Sequence, residues 1–106
     1  MDYRVMFLRS EQGRPVGCLA IKLNRKARTL EYGVSVLNPA DKFDRKVARQ
    51  LAIGRMTETP TTIGPVLYDL SMHEISRVVM LTISMDRTMP TRAVKAARLW
   101  LSTNKM

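Results

Sequence analysis

The chain is poor in the residues that build metal, redox and disulfide sites. Its 106 residues include one cysteine, one histidine and nine acidic residues. Cys18 cannot form an internal disulfide, which fits a reducing compartment, and its place in the apolar run VGCLAIKL predicts a buried thiol. Cys18 and His73 alone cannot supply the four ligands of a tetrahedral zinc site. The acidic residues are scattered along the chain rather than clustered as metal ligands would be. We therefore expect no metal, no cofactor and no enzymatic activity.

Motifs for nucleotide binding and for membrane insertion are missing as well. The five glycines are isolated, so there is neither a GxGxxG fingerprint nor a P-loop. The longest apolar run, VVMLTI, is far shorter than the ~18–20 residues of a membrane span. Residues 1–9 lack the apolar core of a signal peptide, and no heptad pattern is present. We expect one soluble, intracellular domain covering residues 1–106.

The abundant feature is positive charge. Eighteen Lys and Arg residues against nine acids give a net charge of +9 and a pI near 10.5. Residues 1–56 hold 12 basic and 5 acidic residues, so most of the excess lies in the first half. Such a field predicts a polyanion or an acidic protein surface as the partner.

The first third of the chain has the composition of β-strands. Residues 3–9, 16–23 and 29–37 are rich in β-branched and aromatic residues and are separated by turn formers. The short connections predict an antiparallel meander. Tyr3 and Phe7, four residues apart on one strand, should point to the same face of the sheet.

The pattern becomes helical after residue 37. Asn38 suits an N-cap, Pro39 the first position and Asp41 the first turn, which predicts a helix from about 39 to 57. On a helical wheel Phe43, Val47, Leu51 and Gly54 cluster on one side, and this side should face the sheet.

The remaining segments complete the predicted fold. Residues 57–65 read as a loop, and residues 89–105 as a helix that starts at Pro90. Residues 71–86 are ambiguous: Ser71 and Glu74 have capping-box spacing, whereas VVMLTI alone favours a buried strand. We favour the helix. The predicted architecture is α+β, a three-stranded antiparallel β-meander followed by two or three helices packed on it.

Two groups of basic residues are candidates for binding. One is the turn between the second and third strands. The other is a stripe on the predicted helix, whose i, i+3, i+4, i+7 spacing places four cations on one face with no acid among them. A charge run is usually a solvated face, and Asp41 and Asp44 at its edge soften the stripe. The predicted binding residues, including one just off the stripe, are Arg25, Lys26, Arg28, Lys42, Arg45, Lys46, Arg49 and Arg55.

The segment YGVSVLNPADKFDRKVARQLAIGRM resembles a pattern in small uncharacterised proteins of tailed bacteriophages. In those proteins a short β-meander runs into an Asp-x-Phe start, a basic pair and an Ala-x-Gly-Arg end. The resemblance covers about residues 16–56, and this chain has Ala48 where glycine is expected. It implies a phage accessory protein acting in the host bacterial cytoplasm and names no activity. The matching positions are Asp41, Phe43, Arg45, Lys46, Arg49, Ala52, Gly54 and Arg55.

Three hypotheses follow from the charge and the resemblance. The first is a basic, non-enzymatic phage protein that binds DNA or RNA through the helix face and the turn. The second is an inhibitor or modulator that docks the same face on an acidic surface of a host protein or defence complex during host takeover. The third is a self-assembling structural protein, which predicts a stable oligomer. The aromatic residues are assigned to the core rather than to base stacking.

Overall fold

The computed structural model describes residues 3–37, 42–65 and 70–104. Within these ranges the strands are β1 (Tyr3–Arg9), β2 (Pro15–Asn24), β3 (Thr29–Val36) and β4 (Thr61–Ile63), and the helices are α1 (Arg45–Glu58), α2 (Met72–Met85) and α3 (Thr91–Thr103). The strands form one sheet of order β1-β2-β3-β4, and neighbouring strands are antiparallel. The α+β class and the β-meander are therefore confirmed.

The sheet is covered on both faces, and strand β2 shows why. Its side chains alternate, so that Cys18 and Ala20 pack on the α1 side while Leu19 and Ile21 join the larger core with α2 and α3. A strand buried on both faces is apolar at consecutive positions, as VGCLAIKL is. The molecule thus has three layers, with α1 on one face of the sheet and the α2–α3 pair on the other. No helix of the described chain is long and apolar enough to cross a bilayer.

The ambiguous segment is a helix, α2, and its start is the predicted capping box. The Ser71 hydroxyl accepts from the Glu74 N–H at 3.2 Å, and the Ser71 N–H donates to the Glu74 carboxylate at 3.0 Å. The row Ile75, Val79 and Ile83 is fully buried against the sheet. Within the VVMLTI run Val79, Met80 and Ile83 are buried, whereas Leu81 is 51% exposed, so the run is apolar on more than the buried side of the helix. This is why its composition alone resembles a strand.

The capping box makes stability depend on pH. The backbone and side-chain hydrogen bonds from Ser71 hold the pKa of Glu74 below its ordinary value of 4.5. The stabilisation is therefore complete above pH 4.5 and is lost as pH falls through the lowered pKa. We expect Glu74→Gln to be less stable than the wild type at pH 7 and equal to it in strong acid. Urea denaturation at several pH values measures this, with the exposed Glu58→Gln as the control for the charge change; a gap that persists in strong acid would contradict it.

Helix α1 begins later than predicted. Lys42, Phe43 and Asp44 are not helical, and the helix starts at Arg45. Asp44 is the N-cap, since its carboxylate accepts from the N–H groups of Lys46 and Val47 at 3.0 and 3.2 Å. The predicted cap at Asn38 and Pro39, with Asp41, lies outside the described residues. The loop predicted at 57–65 was also wrong, because it contains the end of α1 and strand β4.

The predicted apolar face of α1 is the second correction. Val47 and Leu51 are 49% and 48% exposed, and the buried row is Ala48, Ala52 and Met56. The cause is close approach to Gly33 on β3, where an added Cβ would lie 2.4 Å from the Met56 N atom and 2.5 Å from the Ala52 carbonyl oxygen. A helix this near the sheet fits alanine at the contact, and larger side chains turn outward.

Candidate functional site

Three of the four residues of the predicted basic stripe lie at the start of α1, and the fourth lies just before it. We call Lys42, Arg45, Lys46 and Arg49 the helix cluster. All four side chains are exposed, and the last three lie on the first turn and a half of α1, while Lys42 precedes the helix. At 100° per residue, Arg45 and Arg49 lie beside the buried alanine row and Lys46 lies further from the sheet. The cluster therefore runs along one flank of the helix.

An aromatic pair holds the N-terminal end of α1 against the sheet. The rings of Phe7 on β1 and Phe43 pack edge to face with centroids 5.9 Å apart. The Arg45 guanidinium carbon lies 5.5 Å from the centroid of the Phe7 ring. Such a cation–π contact orients the guanidinium. No carboxylate in the described part of the chain forms an ion pair with it. Phe43 thus packs on the sheet as predicted, but from the segment before the helix.

Arg49 lies close enough to the sheet to act on the lone cysteine. Burial raises the pKa of the Cys18 thiol, and the positive charge of Arg49 opposes part of that rise. The thiol is buried, as predicted, and stays protonated at neutral pH. His73 is exposed in the first turn of α2, on the opposite side of the sheet from Cys18, so the two cannot act together. Within the described ranges no three His, Cys, Asp or Glu side chains are placed to hold a metal ion.

The basic turn at residues 25–28 is not brought to the helix cluster. Cys18 lies beside the cluster, and the turn follows Asn24, six residues further along β2, which corresponds to about 20 Å. Between them Lys22 faces Glu31 across the β2–β3 pairing. The turn and the cluster thus lie towards opposite ends of the sheet rather than forming one site.

Two of the predicted binding residues have local structural roles. Arg55 donates to the Val34 carbonyl oxygen at 2.5 Å and so ties the end of α1 to β3. Arg28 adopts a positive φ of 54°, which lets the turn close before Thr29. These contacts explain their positions in the chain without any ligand.

Sequence reasoning missed two residues on the α1 side of the sheet. Tyr3 pairs with Lys22 across β1 and β2, and both side chains are exposed on the face that carries Phe7 and Cys18. The two-residue alternation from Cys18 through Ala20 to Lys22 could have placed this lysine on that face. Tyr3 had been assigned to the core, but it is 41% exposed.

Three arginines on the α2–α3 side of the sheet are engaged with the protein itself. Arg77 donates to the Asn104 carbonyl oxygen at 3.3 Å, Arg92 to Leu37 at 2.6 Å and Arg98 to Ser84 at 3.4 Å. The side chains of Lys46 and Arg49 differ. Residues 3–37, 42–65 and 70–104 supply them with neither an ion-pair partner nor a hydrogen-bond acceptor. The nearest acid along the helix, Asp44, uses its carboxylate as the cap. Among the described residues, Lys46 and Arg49 are thus the members of the helix cluster whose charge no other side chain engages.

Comparison of the chain with protein-family models, with curated proteins and with solved structures gave no match.

Proposed function

We propose that this protein binds nucleic acid without catalysing a reaction, through contacts between the helix cluster and the phosphate backbone. One observation carries the proposal: Lys46 and Arg49 are exposed, on a helix fixed to the sheet, and no described carboxylate pairs with them. The net charge of +9 adds long-range attraction for a polyanion.

The geometry of the helix cluster suits contacts to the phosphate backbone of a nucleic acid rather than to its base edges. The Ser35 hydroxyl donates to the Ala48 carbonyl oxygen at 2.7 Å in the buried contact, so the helix is held firmly. Arg45 and Arg49, one turn apart, are separated by about 6 Å along α1, so both could reach phosphates of one strand. The turn lies about 20 Å further along the sheet, with Lys22 between it and the cluster, and these cations could meet phosphates further along the nucleic acid.

Fluorescence anisotropy with labelled duplex and single-stranded oligonucleotides tests this function. At about 50 mM salt we expect micromolar binding, and log K should fall linearly with log salt because counterions are released. Binding should depend weakly on base sequence. If neither DNA nor RNA of either form binds at this salt concentration, the proposal is wrong.

A substitution at the cap should strengthen binding without weakening the fold. Asp44→Asn keeps a good N-cap and removes a negative charge beside the helix cluster. One unit charge at about 8 Å in water is worth about 0.5 kcal/mol, so affinity should rise about two- to threefold. Asp44→Ala makes the same charge change but loses the cap, at a cost of about 1 kcal/mol. Anisotropy and thermal melting of both variants separate the two effects; equal affinities for wild type and Asp44→Asn would count against the site.

The second candidate function is docking on an acidic protein surface, as an inhibitor or modulator of a host protein. The observation that favours it is the exposed apolar pair Val47 and Leu51, which at 100° per residue lies on the flank of α1 opposite the helix cluster. Phosphate contacts need no apolar patch, whereas protein interfaces are built around one. A pull-down from nuclease-treated bacterial lysate distinguishes the two: a stoichiometric protein lost with Leu51→Gln supports docking, and loss of every partner supports nucleic acid. Phage origin and action in the host cytoplasm remain part of the proposal.

A further inference from the structure

A second surface, on the other side of the molecule from α1, is left unused by the proposed function. It is a groove of about 540 Å³ between strand β1 and helix α3, and we call it the edge groove. It runs beside a smaller groove of about 320 Å³, and the two share the lining residues Arg9, Ser10, Glu11, Ala96 and Leu99. Trp100 and Met6 line the larger one.

One wall of the edge groove is an open strand edge. β1 is the end strand of the sheet and pairs with β2 alone among the described strands. Residues 6–9 of β1, four in sequence, line the groove, so the strand runs along it. Alternate residues of an end strand direct N–H and C=O groups away from the sheet, and such an edge accepts an added strand.

The walls of the groove combine an apolar lining with a positive rim. Met6, Leu99 and Trp100 are partly buried and face this space, and Arg9 is exposed at its rim. Lys95 is exposed in the adjoining smaller groove, where the two grooves meet. Arg9 donates to the Gly13 carbonyl oxygen at 3.0 Å, and no described residue pairs with Lys95. Glu11 is the one acid among the described lining residues. The chemistry thus favours an apolar strand that carries carboxylates.

A second copy of this chain is a poor occupant. Pairing β1 with β1 would bring two chains of net charge +9 together, with Arg4 and Arg9 on each edge. Like charges placed along a strand pair are destabilising. An acidic segment gains from the same charges that a second copy would oppose.

We propose that the edge groove binds an extended, acidic segment of a partner protein, with apolar residues at alternate positions, which adds to β1 as a further strand. Main-chain hydrogen bonds to the open edge would supply affinity, and the apolar lining would take every second side chain. Arg9 and Lys95 would select carboxylates at the rim. The inference does not depend on the helix cluster, which lies at α1.

The test is selection of a random-peptide display library on the immobilised full-length protein. We expect the recovered peptides to carry Asp or Glu and alternating apolar residues, to lack central proline, and to bind the variant Arg9→Glu/Lys95→Glu at least about tenfold more weakly. N-methylation of alternate peptide nitrogens should abolish binding while every side chain is kept. Hydrogen exchange should show β1 amides protected when the peptide is bound.

Several results would overturn the proposal. They are recovery of no peptide, recovery of basic peptides, and binding that survives N-methylation on both strand faces. Protection of β1 by oligothymidylate would assign the groove to nucleic acid instead, and a dimer whose β1 amides are protected without peptide would assign it to a second copy. Thermal melting shows whether the doubly substituted variant is folded, and the N-methylated peptide tests the wild type independently of it.

Discussion

Gly33→Ala is expected to lower the melting temperature by about 15 °C. A Cβ at Gly33 would lie 2.4, 2.5 and 2.8 Å from the Met56 N, Ala52 O and Arg55 C atoms, all of them backbone atoms of α1. Backbone of a packed helix cannot give way as a flexible side chain can, so α1 must move off the sheet. Overpacking of this kind costs about 3 kcal/mol, and in a domain of this size each kcal/mol shifts the melting temperature by roughly 5 °C.

The matched control is Gly54→Ala, one helical turn before the end of α1. A Cβ there meets nothing within 4 Å, and the residue is helical. Alanine in a helix is more stable than glycine by about 1 kcal/mol, so this variant should melt higher than the wild type. The same substitution, glycine to alanine, is thus expected to lower the melting temperature at Gly33 and to raise it at Gly54. Equal melting temperatures for the two variants would show that α1 does not approach the sheet at Gly33.

Lys46→Glu/Arg49→Glu is expected to weaken nucleic-acid binding well over tenfold at about 50 mM salt. Each reversal removes a phosphate contact and adds a repulsive carboxylate on the exposed side of α1. Because each contact contributes about 0.9 to the slope of log K against log salt on duplex DNA, the slope should fall by about 2. Both side chains are exposed and support no described hydrogen bond, so the fold should be retained.

The control for net charge is Arg87→Glu/Lys95→Glu on the α2–α3 side, where neither side chain makes a described hydrogen bond. It changes the total charge by the same amount at exposed positions across the sheet from α1. If attraction by the whole molecule governed binding, both double variants would lose affinity equally. The proposal expects the α1 variant to lose far more affinity and salt dependence than the control. Equal losses would show that the helix cluster is not a distinct site.

Local patterns predicted the strands and the class of the fold well, because those patterns depend on neighbours in sequence. The three strands of the meander begin and end within a residue or two of their predicted bounds. The Ser71 capping box, a signal of four residues, fixed the start of α2. The prediction of which face of α1 is buried was wrong, because that face is determined by residues distant in the chain. The helical wheel selected Val47 and Leu51 for the sheet, whereas Gly33 on β3 admits only a close approach by alanine.

The candidate site shows the same division. The wheel placed Arg45, Lys46 and Arg49 together, and they do lie on one stretch of α1. It could not show that the turn at residues 25–28 is about 20 Å away, since that distance follows from where α1 docks along β2 and β3. Nor could it show that Arg55 bonds to the Val34 carbonyl oxygen. The pairing that brings Tyr3 beside Lys22 could not be predicted either, because it joins two strands that were analysed one at a time.

Nucleic-acid binding by the helix cluster is tested most directly by an NMR titration of the isotope-labelled protein with an oligonucleotide at about 50 mM salt. We predict that the largest amide shifts fall on residues 42–50, with smaller shifts at Lys22 and the 25–28 turn, and that α2 and α3 are unaffected. Shifts concentrated on α2 and α3, or no shifts at all, would contradict the assignment of nucleic-acid binding to the helix cluster.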